Sequence, residues 1–177
     1  AISIFVFSAA KLNFICLALS PIPIAMVWIY PYLKRITWLS HFVLGMILGL
    51  APYAGWLASE PRIGWAPFIL AVAVASWVSG FDMFYALQDV EFDRREGLES
   101  FPARFGVERT ILAVRFLHGF TIFVLAVFGI LLRMNEWYWA GWLVAALLMM
   151  REHGLVRRFG LQKINEAFFN MNAWVSV

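Results

Sequence analysis

Charge is the scarcest commodity in this sequence. Asp, Glu, Lys and Arg supply only 14% of 177 residues, against roughly 25% in soluble domains. Cysteine is nearly absent: Cys16 stands alone in an apolar stretch, which excludes a disulfide framework and any Cys-based metal spacing. The histidines, His41, His118 and His153, are too scattered for a metal motif, and are assigned to packing or to the membrane interface. No Ser/Gly-rich linker and no internal repeat divides the chain, so residues 1–177 are read as one domain. No basic leader precedes the opening apolar run, and the closing run, 167–177, is too short to span a bilayer. Both ends are therefore expected to be truncations of a longer protein.

Apolar residues are what the chain has in abundance. Hydrophobic side chains make up 63% and the mean hydropathy is +0.77, which excludes a soluble globular domain and points to an integral membrane protein. The apolar runs are continuous rather than alternating, so they fit helices and not an outer-membrane barrel. The expected fold is an all-α polytopic bundle of six spans plus part of a seventh. Helices are expected over about 2–19, 23–34, 39–58, 65–92, 108–132 and 137–150, with a partial one from 165. Ser20-Pro21-Ile22-Pro23 is read as the break between the first two, and a polar connection covers 93–106.

Six spans assign each loop to a side. Lys34, Arg35, Arg94, Arg95, Arg104, Arg109, Arg151, Arg157, Arg158 and Lys163 fall together, opposite Arg62 and Arg133. That imbalance places the first group in the cytoplasm, with the chain in the cell's inner (plasma) membrane. The net charge of +3 and pI near 9.3 report this topology. No basic patch interleaved with aromatics calls for nucleic acid.

The chemistry concentrates in Asp82-Met-Phe-Tyr-Ala-Leu-Gln-Asp89-Val-Glu-Phe-Asp93-Arg-Arg-Glu-Gly97. On one continuous helix, Asp82, Asp89 and Asp93 fall within an arc of about 40°. Acids at the end of a membrane span are costly and default to function. Asp89 and Asp93, at i and i+4, repel unless a cation lies between them. Mg²⁺ suits such a pair, because it binds through one or two carboxylates plus phosphate oxygens. Tyr30 and Lys34, also i and i+4, close a helix on the same side; there an ammonium and a phenol can hold a phosphate. In the following segment, Gly97 and Gly106 permit turns, and Ser100 with the arginines, Arg95 among them, can cover a diphosphate.

Taken together, these residues resemble the UbiA superfamily of intramembrane aromatic prenyltransferases, and most of all its branch acting on 4-hydroxybenzoate. The run from Asp82 through Asp89, Asp93 and Ser100 resembles that family's second aspartate-rich motif, and Tyr30-x-x-x-Lys34 its YxxxK element. The first aspartate-rich motif, NxxxDxxxD, has no counterpart here. The resemblance implies a nine-helix bundle of which this chain is the later part, inactive alone. It implies that Asp89 and Asp93 hold Mg²⁺ against a polyprenyl diphosphate, which Tyr30 and Lys34 also bind. Asp82, Arg95 and Ser100 are implied on the substrate side. An aromatic acid, 4-hydroxybenzoate in ubiquinone synthesis, is the implied acceptor; a dihydroxynaphthoate in menaquinone synthesis is the alternative. A secondary transporter using Asp82 and Lys34 is the rival class, and it predicts a pair of related halves that the sequence lacks.

Overall fold

A computed structural model describes residues 1–159; the expected partial helix from 165 lies outside them. Its elements, in chain order, are α1 (Ile2–Leu12), α2 (Phe14–Leu19), α3 (Pro21–Leu33), α4 (Ser40–Ser59), α5 (Trp65–Ala86), α6 (Val90–Arg95), α7 (Phe101–Phe105), α8 (Val107–Leu131) and α9 (Glu136–Phe159). The described residues contain no strand. Among the described residues, four stretches are long and apolar enough to cross a membrane: Phe14–Leu33, Ser40–Ser59, Trp65–Ala86 and Val107–Leu131. Large apolar side chains such as Trp28, Phe68, Phe116 and Phe123 stand exposed along them. Water would penalise that surface; lipid accepts it, and the chain is an integral membrane protein.

The first expected boundary moves. The break falls at Asn13, whose backbone is extended and whose side chain caps α2 by accepting from the Cys16 amide. Its Nδ2 donates to the Leu57 carbonyl of α4, a bond that local sequence does not reveal. Ser20 is helical and its hydroxyl donates to the Leu17 carbonyl, so α2 and α3 run on as one span through Pro21. Proline at a first helical position lacks only an N–H that would be unpaired anyway. The eleven-residue α1 is shorter than a bilayer crossing, and α9 extends past the expected 150 to Phe159.

Packing centres on α5, which lies between α4 and α8. Small residues let the first pair of backbones approach. A Cβ on Gly45 would strike Ser79 Oγ and the Ala75 carbonyl, and one on Gly49 would lie 2.6 Å from the Ala71 carbonyl. This Gly-x-x-x-Gly row against Ala71, Ala75 and Ser79 is how membrane helices associate when lipid removes the hydrophobic incentive. On its other face α5 contributes Met83 and Phe84 to a buried cluster with Leu87, just past its end, Val114 and Val156. The acids at the end of α5 thus rest on a fixed support.

Candidate active site

The acidic segment is not one helix. α5 ends at Ala86, and Asp89 is the N-cap of the separate α6, with φ −100° and ψ 6°. The single arc expected for Asp82, Asp89 and Asp93 therefore does not exist. The i, i+4 relation of the last two survives, because the Asp93 amide donates to the Asp89 carbonyl at 2.7 Å. The bend turns the two acids differently: Asp93 is buried, while Asp89 is exposed.

Asp93 is fixed by the way α6 stops. Gly97 takes φ +65°, a conformation that disfavours a Cβ. Its amide donates to the Arg94 carbonyl, and the Leu98 amide to the Asp93 carbonyl at 2.7 Å. These two bonds form a Schellman cap. The next amide, Glu99, donates to the Lys34 carbonyl at 2.6 Å, which pins the end of α3 to the same turn. Lys34 Nζ then lies 3.8 Å from Asp93 Oδ2, the lysine side chain 31% exposed and the aspartate 2%. Asp93 Oδ2 is buried with no hydrogen-bond partner among the described residues. Lys34 and Arg35 line a cavity of about 620 Å³ with Phe92, Glu96, Gly97 and Leu98. A second cavity of about 280 Å³, among α1 to α4, has an almost wholly apolar surface and holds none of the expected site residues.

Deeper along α5, Asp82 Oδ2 lies 2.6 Å from His41 Nδ1 of α4, and the Asp82 carboxylate is within electrostatic reach of the Tyr30 hydroxyl. Tyr30 and Lys34 on α3 thus stand beside Asp82 and Asp93 respectively. His41 was missed by the sequence reading, which set all three histidines aside. The available signal was a polar ring in the first turn of a membrane helix, where such groups seek partners.

The remaining expected residues are placed differently. Arg95 is exposed, 3.8 Å from Glu91 on its own helix. Ser100 is fully buried, and its hydroxyl accepts from the Ala103 amide as the N-cap of α7. No three His, Cys, Asp or Glu side chains among the described residues converge as a metal cage. A Mg²⁺ ion shared with a diphosphate needs only one or two carboxylates; Asp93 Oδ2, buried and without a hydrogen-bond partner among the described residues, fits that lesser demand, while Asp89, one turn away, is exposed.

The UbiA prenyltransferase family matches this chain over residues 1–174. The chain belongs to that family. Its fold is close to an apo structure of a UbiA homolog from Aeropyrum pernix K1, with a TM-score of 0.89 at 28% identity, covering 98% of this chain and 65% of that one. Among curated relatives, a 4-hydroxybenzoate octaprenyltransferase of Xanthomonas campestris pv. campestris (strain B100) is 31% identical over 167 residues. One from Francisella tularensis subsp. mediasiatica (strain FSC147) is 27% identical over 168 residues. Each match covers 94% of this chain but only 55% and 58% of the relative's length.

Proposed function

We propose that this chain supplies part of an intramembrane prenyltransferase that moves a polyprenyl group from an allylic diphosphate to an aromatic acid such as 4-hydroxybenzoate, in ubiquinone synthesis. The observation that carries the reading is the buried Asp93 carboxylate 3.8 Å from Lys34, which itself lines a cavity of about 620 Å³; Tyr30, one turn before Lys34, is within electrostatic reach of Asp82. The substrate's allylic C–O bond breaks with its electrons passing to the diphosphate, an aromatic carbon bonds to the allyl cation, and the ring then loses its proton. The difficult moment is the departure of a multiply charged leaving group. Fixed charge that is present before the bond breaks lowers that barrier without reorganisation.

Lys34 is assigned the diphosphate as a point charge, and Tyr30 a hydrogen bond to one of its oxygens. Asp89 and Asp93 are assigned to Mg²⁺, which supplies Lewis-acid neutralisation of the diphosphate when bound. Asp82 and the exposed Arg95 are assigned to the substrate side. The surplus of Lys and Arg in the loops that share a side with the acids supports a cytoplasmic opening in the plasma membrane.

The test is transfer of a labelled prenyl chain in membranes bearing a protein that carries this chain at the family's full length. Activity that needs Mg²⁺ and falls at least about 100-fold in Asp93→Asn is the expected result. Undiminished activity in that variant contradicts the assignment. Supplying 4-hydroxybenzoate and 1,4-dihydroxy-2-naphthoate in parallel decides between the ubiquinone-type and menaquinone-type acceptors.

A further inference from the structure

His41 is wholly buried and both of its ring nitrogens are engaged. Nε2 accepts from the Phe101 amide at 3.3 Å, and a nitrogen that accepts carries no proton. The proton therefore sits on Nδ1, where it is donated to Asp82 Oδ2 at 2.6 Å. One neutral imidazole joins an acid on a membrane helix to the first amide of α7, in the segment that follows α6. Its surroundings leave it little freedom. The close approach of α4 to α5 at Gly45 and Ser79 sets the depth of the ring. Trp38 packs edge-on against Phe42, Phe101 and Phe105, holding α7 over the start of α4.

The bond has two consequences. A carboxylate on a partly exposed side chain can rotate between rotamers; a buried N–H at 2.6 Å selects one. The Phe101 amide is one of the unpaired donors at the start of a helix, so its bond to Nε2 fixes where α7 begins. The same segment reaches Lys34 through the Glu99 amide. The two halves of the candidate site, Asp82 with Tyr30 and Asp93 with Lys34, are connected through His41.

We propose that His41 is a positioning residue: it orients Asp82 for prenyl transfer and clamps residues 98–105 against the membrane acid. The part concerning transfer rests on the prenyltransferase reading; the clamp does not. His41→Leu removes both bonds. His41→Asn keeps a donor near the Nδ1 position but does not reach Phe101. Tryptic cleavage at the exposed Arg94, Arg95 and Arg104, followed by mass spectrometry on detergent-solubilised protein of full family length, reads the clamp. Cleavage is expected to quicken at least threefold in both variants; rates equal to wild type in both overturn the clamp whatever the enzyme does.

The transfer assay reads the orientation. His41→Leu should lower kcat at least tenfold with KM for the diphosphate changed less than threefold. His41→Asn should stay within fivefold of wild type. In an Asp82→Asn background, His41→Leu should add no further loss, since it acts through that carboxylate. A full additional tenfold loss there overturns the orientation role. Where His41→Leu does not yield monodisperse protein, His41→Asn decides alone: fast cleavage with retained kcat supports the proposal, and wild-type cleavage or lost kcat overturns it. A wild type without transfer activity removes the prenyltransferase reading and leaves the cleavage result standing.

Discussion

The two faces of α5 carry two buried polar clusters, and they are built in opposite ways. Toward α4, His41 and Asp82 satisfy each other and the Phe101 amide, and the cluster opens toward Tyr30. Toward α8 and α9, His118 Nδ1 lies 3.2 Å from His153 Nε2 and 4.0 Å from Glu152 Oε2. There Glu152 Oε1 and His153 Nδ1 have no hydrogen-bond partner among the described residues, and Phe84 meets the His118 ring edge-on and the His153 ring at a tilt. What separates the α4 side is that its acid and imidazole are partnered, and that Lys34, one turn from the neighbouring Tyr30, lines a cavity.

Perturbing each face in turn sharpens that contrast. The largest effect is expected at Lys34→Ala, which removes the cation facing Asp93 and should cost about 100-fold in transfer, or about 2.7 kcal/mol. Kinetics in membranes would show it, and Lys34→Arg should recover only part, because a guanidinium is not a point charge. On the other face, Gly80→Leu forces a Cβ to 2.7 Å from His118 Cδ2. Overpacking of this kind costs about 1–3 kcal/mol, seen as a lower unfolding midpoint in detergent. Gly97→Ala strains the turn that holds Asp93 and should destabilise by about 1 kcal/mol; it should also weaken diphosphate binding, which Gly80→Leu should not. Smallest of all, Glu152→Met replaces an incompletely partnered buried acid and should change stability by less than about 1 kcal/mol, or raise it. Transfer should stay within threefold, and a larger loss would show that the α8 face belongs to the site.

The sequence made the membrane class and the α4, α5 and α8 spans legible, because apolar length is a local property; i, i+4 spacing singled out Asp89, Asp93, Tyr30 and Lys34, of which the structure brings Lys34 and Asp93 together. The bend after Ala86 was not legible, since Leu87 and Gln88 carry no breaker. Its cause is tertiary: Leu87 and Val90 are buried, and the turn at Gly97 is bonded back to Lys34. Ser20-Pro21 looked like a stop and Asn13 did not, because the Asn13 side chain bonds to Leu57, 44 residues away. His41 stayed hidden for the same reason. Its two partners lie 41 and 60 residues downstream, and nothing at that distance shows in a one-dimensional pattern.

The most direct test of the central claim is Mn²⁺ binding, followed by electron paramagnetic resonance, to protein of full family length with a non-hydrolysable prenyl thiodiphosphate. The account predicts a bound Mn²⁺ signal that requires the diphosphate and disappears in Asp93→Asn. An unchanged signal in that variant, or one indifferent to the diphosphate, would contradict it.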